Sequence, residues 1–390
     1  MPARPTDFLN PIDDQSTRTI DRVARRNAAD LSYSDLKELV QSLGQPAYRV
    51  QQFLDWVYKD LATSFDEMTN LPRSVRQALS REVSLPVLEV VDERISGDKT
   101  TRKVLFELND SHTVEAVLMT YRGPRSSRER TTVCLSTQVG CPIGCPFCAT
   151  GQQGFERNLS AGEMVAQVLH FRRLLAATSH LDGRREPLQG RGGLTNVVFM
   201  GMGEPLANYD SVVKCIGVLN SSHGLAIGRR QITISTVGLV PQMRQLAGEK
   251  LPVELAVSLH AATDEIRDRL VPINKKYPLA ELLAACVYYF RKTGRQPSFE
   301  YALFAGINDS VSDARRLAKL LEEHGGHVNL IPGNTTQDKK FRPSSGRAMA
   351  SFQKELNASG ISNTLRLYRG LDIEAGCGQL RSRRMSSEAT

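Results

Sequence analysis

Three cysteines fall within eight residues in the run Cys141-Pro-Ile-Gly-Cys145-Pro-Phe-Cys148. Thiolates are soft ligands, and this spacing suits either an iron–sulfur cluster or a zinc site completed by a histidine. In a cubane cluster, three sulfurs leave one iron without a protein ligand, and that open position can bind a substrate. Gly144, Pro142 and Pro146 fit a loop that wraps around such a group. The chain has seven cysteines, an odd number. In a reducing compartment that pattern points to metal binding or catalysis rather than to a disulfide framework.

The remaining cysteines differ in setting. Cys377 lies between two glycines in Arg369-Gly-Leu-Asp-Ile-Glu-Ala-Gly-Cys377-Gly-Gln-Leu380, which predicts an exposed, accessible sulfur. Cys134 stands seven residues before the cysteine-rich run, in a strand pattern that leaves its direction open. Cys215 and Cys286 sit in the apolar stretches SVVKCIGVL and LLAACVYYF and read as small core residues. A second motif, Gly201-Met202-Gly203-Glu204-Pro205, ends an apolar strand, and its glycines allow backbone to approach a ligand closely. Leu206 occupies the place where a dinucleotide fingerprint needs glycine, so a Rossmann site is not expected. Ser235, Ser258, Leu259, His260 and Asn334 end or follow further predicted strands, where each alone would serve as a turn or cap. Glu115, in the run VEAV, reads by itself as an ordinary strand carboxylate.

The elements that must position these groups follow from periodicity. Residues 31 to about 85 carry apolar residues at helical spacing, with Ser34 as the expected N-cap and Gly44 and Pro46 as breaks. TRKVLFEL (101–108) and TVEAVLMTY (113–121) predict a hairpin. From Thr132 strands and helices alternate. Strands are expected at 133–139, 196–201, 231–236, 253–259, 298–304, 327–331 and 364–368, and helices at 161–176, 209–221, 279–292, 310–324 and 345–358. Repeated βα units imply parallel strands with right-handed crossovers. The expected fold is α/β, an incomplete (β/α) barrel with its chemistry at the carboxyl ends of the strands. Residues 178–194 read as a surface loop. The expected divisions are a flexible lead over 1–30, a helical accessory unit over 31–105 and a linker with a lead-in strand over 106–126. A core over 127–366 and a C-terminal segment with a basic tail over 367–390 complete the chain.

Lys and Arg number 50 against 42 Asp and Glu, a formal net charge of +8. Basic residues cluster at Arg122, Arg125, Arg128 and Arg130, at Lys339, Lys340 and Arg342, and at Arg381, Arg383 and Arg384. Such groups can neutralise phosphates, although solvated loops would look the same. No apolar run reaches the roughly 18–20 residues of a membrane span, and the N-terminus lacks the apolar core of a secretory signal. A cytoplasmic protein is expected.

The CxxxCxxC spacing with Phe147 inside the loop resembles the signature of the radical S-adenosylmethionine (SAM) superfamily. VEAVLM, CLSTQVGCPIGCPFCATG, GMGEPLANYD, ISTVGL, VSLHA, LIPGN and RGLDIEAGCGQL occur in that order across roughly residues 113–380. Together they resemble the RlmN/Cfr family of RNA adenine methyltransferases. The resemblance implies one 4Fe–4S cluster per chain on Cys141, Cys145 and Cys148, its open iron chelating the amino and carboxylate groups of SAM. It implies SAM binding by Gly203, Glu204, Ser235, Ser258, Leu259, His260 and Asn334, with two SAM molecules per turnover. Cys377 would take a methyl group from the first SAM and become S-methylcysteine. Cleavage of the second would give a radical that removes hydrogen from that methyl group, and the methylene so formed would add to the adenine. Cys134 would release the product through a transient disulfide with Cys377, and Glu115 matches the family's proton acceptor.

The helical extension is like that of RlmN-type members and would contact RNA. This implies methylation of C2 of an adenine in 23S rRNA and in tRNA, by a monomer that draws electrons from a donor such as flavodoxin or ferredoxin. A Cfr-type enzyme, which methylates C8, shares every motif and is the alternative. Two other classes remain. A zinc-containing RNA-binding protein would lack catalysis. A radical SAM enzyme for a small molecule would leave Cys134, Cys377 and the basic surface without a use.

Overall fold

The computed structural model describes residues 25–121, 130–181, 193–249, 251, 253–334, 340–366 and 369–382. The expected flexible lead therefore lies almost wholly outside the described residues, as do Arg122, Arg125, Arg128, Lys339, Arg383 and Arg384.

Three amphipathic helices, α1 (Tyr33–Ser42), α2 (Tyr48–Tyr58) and α3 (Arg73–Glu82), stand between two short strands, β1 (Arg26–Asn27) and β2 (Val83–Ser84), which pair in parallel. The N-cap of α1 is Ser32 rather than the expected Ser34. Its hydroxyl accepts from the Asp35 amide while the Asp35 carboxylate accepts from the Ser32 amide, satisfying two amides that the first turn leaves unpaired. Val50, Phe53 and Val57 of α2 are fully buried in an apolar core continuous with that of the main sheet.

A meander of β3 (Glu89–Ile95), β4 (Thr101–Glu107) and β5 (Thr113–Tyr121) follows, antiparallel throughout. Strands β4 and β5 are the expected hairpin, whereas Glu89–Ile95, inside the division expected as helical, is a sheet strand. The edge strand EVVDERI has no alternation of apolar and polar residues, because only one of its neighbours is a strand and much of it faces solvent. Next comes β6 (Arg130–Cys134), antiparallel to β5.

The expected strand 133–139 is two elements. After Leu135 the chain leaves the sheet: the Ser136 amide donates to the Gln167 side chain and the Thr137 amide to the Met202 carbonyl. β7 (Gln138–Gly140) then pairs with β8 (Phe155–Asn158) as a separate hairpin, with the short helix α4 (Ala149–Gln152) between them.

The remainder alternates: α5 (Ala161–Leu181), β9 (Asn196–Phe199), α6 (Tyr209–Asn220), β10 (Ile232–Thr236), α7 (Val240–Gly248), β11 (Glu254–Ser258), α8 (Asp264–Leu270), α9 (Leu279–Thr293), β12 (Ser298–Leu303), α10 (Val311–Leu321), β13 (Val328–Pro332), α11 (Gly346–Ala358) and β14 (Asn363–Leu365). Helix α5 takes in the start of the stretch expected as a loop. One ten-stranded sheet results, ordered β3-β4-β5-β6-β9-β10-β11-β12-β13-β14, with seven parallel strands from β6 to β14. Among the described residues its two ends do not pair, so the barrel is open, as expected. Cys215 and Cys286 are buried core residues on α6 and α9.

Among the described residues no helix is long and apolar enough to cross a membrane. The helical unit is tied to α5 by polar contacts as well as packing. The Gly162 amide donates to Asp30, and the Arg172 and Arg173 guanidiniums donate to the carbonyls of Tyr58, Leu61 and Ala62.

Candidate active site

The three clustered cysteines lie in the loop between β7 and α4. The Cys141 amide donates to the Gly154 carbonyl at 2.7 Å, closing the base of the loop, and the Cys148 amide donates to the Cys145 carbonyl at 3.1 Å. Phe147 turns inward. Its ring meets His260 edge-on at 5.2 Å and tilts against Phe304 at 5.1 Å. With Leu270, Val271 and Ala302 these groups make an apolar shell around the loop. Burial in it pushes the Cys141 thiol up to about 12 and holds Cys145 well above the ordinary thiol range. Cationic iron would reverse that effect by binding the thiolate form.

All three thiols line one cavity of about 160 Å³. Three thiols lining one cavity are the donor set of an iron–sulfur cluster, which Cys141, Cys145 and Cys148 would hold.

The cavity opens where the parallel strands end. After β9, Gly203 adopts φ +101°, and a Cβ there would sit 2.7 Å from the Gln138 side chain and 2.8 Å from Thr137. Only glycine fits that turn. Glu204 follows, its carboxylate accepting from the Leu206 amide at 3.0 Å and the Val237 amide at 2.9 Å. Burial nevertheless raises its carboxyl to about 7, the two amides working against the rise. Ser235 and Ser258, at the ends of β10 and β11, place their hydroxyls 3.4 Å apart. His260 has a left-handed backbone, φ 58°, and its Nδ1 accepts from the Ala302 amide at 3.0 Å. Burial, helped by the Arg267 charge, lowers its pKa to about 3, so the ring is neutral.

Gly203, Glu204, Ser235, Ser258, His260 and Asn334 therefore line the cavity that receives the cysteines. Leu259 does not. It is wholly buried, and its amide pairs with the Glu300 carbonyl.

Cys377 lines the same cavity and is solvent-exposed, as expected. Asn334 donates to its carbonyl at 2.9 Å, and the Ala149 amide donates to the Gly378 carbonyl at 2.8 Å. A Cβ at Gly376 would meet the Asn334 and Gln379 side-chain amides at 2.7 Å, so both would have to shift. Protein mass around the sulfur raises its pKa while the Arg366 charge pulls it back. Cys134, at the end of β6, is buried and does not line the cavity. Burial pushes its thiol up to about 12, with the Cys377 sulfur near enough to add to the rise. Both are free thiols.

Glu115 does not line the cavity. Its carboxylate is buried beside Lys103, at 3.0 Å, and accepts from the Arg381 amide at 3.0 Å. Of the described basic residues, Arg130 lies over the Tyr121 ring at 4.3 Å and the Arg381 guanidinium reaches Glu374 at 3.5 Å, so neither is a freely solvated charge.

Two groups escaped the sequence reading. Glu300 of β12 lines the cavity, receives hydrogen bonds from Asn329 and Arg366, and keeps its Oε2 buried without a partner. A charge inside the apolar strand SFEYALF was the available signal. Arg267 is wholly buried and donates to the carbonyls of Val237, Ser258 and Leu259 and to Asn274. The polar helix DEIRDRL gave no hint of which arginine would turn inward.

Known proteins match this chain along nearly its whole length. The family described as ribosomal RNA large subunit methyltransferase N-terminal domain matches residues 26–85, and the radical SAM superfamily matches residues 135–321. A probable dual-specificity RNA methyltransferase RlmN from Thermotoga sp. (strain RQ2) is 46% identical over 93% of this chain and 99% of its own length. A protein of the same name from Dictyoglomus turgidum is 43% identical over 91% and 97%. A radical SAM methyltransferase from Sphaerobacter thermophilus, solved as a crystal structure, superposes with a TM-score of 0.84 at 45% identity, covering 91% of this chain and 99% of that one. With a three-cysteine loop at the mouth of an open parallel barrel and these relatives over its full described length, the chain belongs to the RlmN family of radical SAM RNA methyltransferases.

Proposed function

We propose that this protein methylates C2 of an adenine in 23S rRNA, and an adenine in tRNA, by way of S-methylated Cys377 and a transient Cys377–Cys134 disulfide. The observation that carries the reading is the shared cavity, lined by Cys377 together with Cys141, Cys145, Cys148 and the Gly203–Glu204 turn. A cluster on the three cysteines, fed by a one-electron donor of the flavodoxin or ferredoxin kind, would supply the reducing chemistry that cleaves SAM.

The chain's own groups then have separable tasks. Ser235, Ser258, His260 and Asn334 present polar groups at the strand ends for SAM, and the apolar shell around Phe147 keeps water from the reacting centre. The Cys377 sulfur attacks the SAM methyl carbon as its bond to the SAM sulfur breaks, and the Arg366 charge favours the thiolate needed for that attack. Once a hydrogen atom is removed from the S-methyl group, its carbon bonds to C2 of the adenine, and the adduct would then return one electron to the cluster and lose its C2 proton to a general base. The Cys134 thiolate attacks the Cys377 sulfur and a disulfide forms as the bond from that sulfur to the transferred carbon breaks, its electron pair passing to the adenine, where a proton completes the methyl group.

The RlmN names of the relatives and the match of the helical unit favour C2 over C8. Mass spectrometry of the modified nucleoside distinguishes the two. The protein would act as a monomer in the cytoplasm, where its RNA substrates reside.

Cys377→Ala is expected to abolish RNA methylation while leaving iron and sulfide content unchanged. Methylation at the wild-type rate would refute the thiol relay. Cys134→Ala is expected to leave protein covalently attached to RNA, visible as a slow species on denaturing gels. If no such species forms, Cys134 is not the resolving thiol.

A further inference from the structure

The segment that carries Cys377 has little structure of its own. Between Arg369 and Ser382 the only regular element is the single turn Leu371–Ile373. Tertiary contacts must therefore set its position. Thr150 donates to the Leu380 carbonyl, and two further contacts are made by the buried side chains of Lys103 of β4 and Glu115 of β5. In the register Leu105 faces Glu115 and Lys103 faces Val117, so the two charged residues are diagonal neighbours on one face of the hairpin. Their side chains are each 4% exposed, and their charges meet at 3.0 Å.

Each member also binds backbone of the cysteine segment, on opposite sides of Cys377. The Lys103 ammonium donates to the Glu374 carbonyl at 3.1 Å, three residues before Cys377. Glu115 Oε2 accepts from the Arg381 amide at 3.0 Å, four residues after it. Polarity is matched at both ends, the cation to a carbonyl and the anion to an amide. The backbone of Glu115 meanwhile faces the cofactor turn. Its carbonyl accepts from the Ser136 hydroxyl, and the same hydroxyl accepts from the Met202 amide at 2.8 Å. One residue of β5 thus touches both the strand-end turn and the cysteine segment.

We propose that the Lys103–Glu115 pair is a clamp that fixes Cys377 over the cavity, and that Glu115 is a positioning residue rather than a proton acceptor. A proton acceptor has to reach the base. Glu115 lies outside the cavity lining, with one oxygen committed to Lys103 and the other to Arg381. The clamp also accounts for the burial of two opposite charges in the sheet, because each carries a hydrogen bond from or to the docked segment that an apolar pair could not supply. Its functional consequence rests on the proposed role of Cys377. The docking itself does not.

The test is hydrogen exchange on the cluster-loaded protein without RNA, comparing wild type, Glu115→Gln, Lys103→Met and the double variant Lys103→Met/Glu115→Leu. The double variant replaces the buried pair with apolar groups of similar size, so it keeps the experiment decisive if an unpaired charge prevents a single variant from folding. Exchange of the amides from Ala375 to Ser382 is expected to rise about tenfold or more, while that of β9 and β10 is unchanged. S-methylation of Cys377, read by peptide mass after incubation with SAM, is expected to fall in parallel at constant iron content.

Wild-type protection of this segment in every folded variant would overturn the proposal. So would a Glu115→Gln protein that S-methylates Cys377 normally and stalls only after joining RNA, which is the behaviour of a missing proton acceptor. If the thiol relay were wrong but the clamp real, exchange would still rise while Cys377→Ala continued to methylate RNA.

Discussion

His260 shows how one residue's surroundings set its chemistry. Its Nδ1 accepts the Ala302 amide, which only a ring unprotonated at that nitrogen can do, and it lies among apolar groups next to the buried Arg267. Its pKa is depressed from 6.5 to about 3. The unfolded chain therefore binds a proton at a pH where the folded protein does not. Stability from this residue is fully present above pH 6.5 and is lost as pH falls from there toward 3, at up to about 1.4 kcal/mol per pH unit. His260→Asn keeps an acceptor oxygen near the Nδ1 position and removes the titration. Urea midpoints at pH 7.5 and 5.5 should accordingly lie closer together in the variant than in the wild type. An unchanged gap would show that His260 is not the group responsible. The cysteines make the complementary point: CxxxCxxC was legible from spacing alone, because three sulfurs on a short loop can hardly avoid one another. Glu115 was not, since nothing in VEAV tells a free strand carboxylate from one locked beside Lys103.

At the level of elements, the strand ends have to be held in register before their side chains can form a site. Helix α8 does this through Arg267, which joins Val237, just after β10, to Ser258 at the end of β11 and Leu259 just beyond it. Arg267→Met keeps the aliphatic stem but removes the buried donor to the Val237 and Ser258 carbonyls and to the Asn274 side chain. A loss of about 3 kcal/mol or more is expected, since each buried unsatisfied group costs about 1–3 kcal/mol. Thermal unfolding measures that loss, and SAM affinity should drop with it because Ser258 and His260 lose their support. A variant as stable as the wild type would mean the loops hold themselves. Element type was legible for the parallel strands and their helices, whose periodicity is unambiguous. Element ends were not. The split of 133–139 into β6 and β7 depends on Gln167 and Met202 offering partners to Ser136 and Thr137, and those groups come from distant sequence.

For the molecule as a whole, the helical unit and the barrel share one apolar core. Tyr58, Leu61 and Ala62 supply the carbonyls that receive the Arg172 and Arg173 guanidiniums of α5. Deleting residues 1–85 should therefore do more than weaken RNA binding. The exposed face of α5, with two guanidiniums stripped of partners, is expected to make the remainder aggregate or lose cooperative unfolding, as seen by light scattering and circular dichroism. A truncated chain that unfolds as sharply as the full one would show that the units are independent.

The sequence by itself determined the cysteine loop, the order of βα units and the family, because these depend on local spacing and periodicity that survive without a fold. Only the tertiary structure decided which polar residues share a cavity. Cys377, Asn334 and Cys148 are far apart in the chain, and Lys103 meets the backbone of Glu374 across 271 residues. Contacts of that range are set by how the sheet coils and where a segment without secondary structure comes to rest, and no local pattern of residues encodes them.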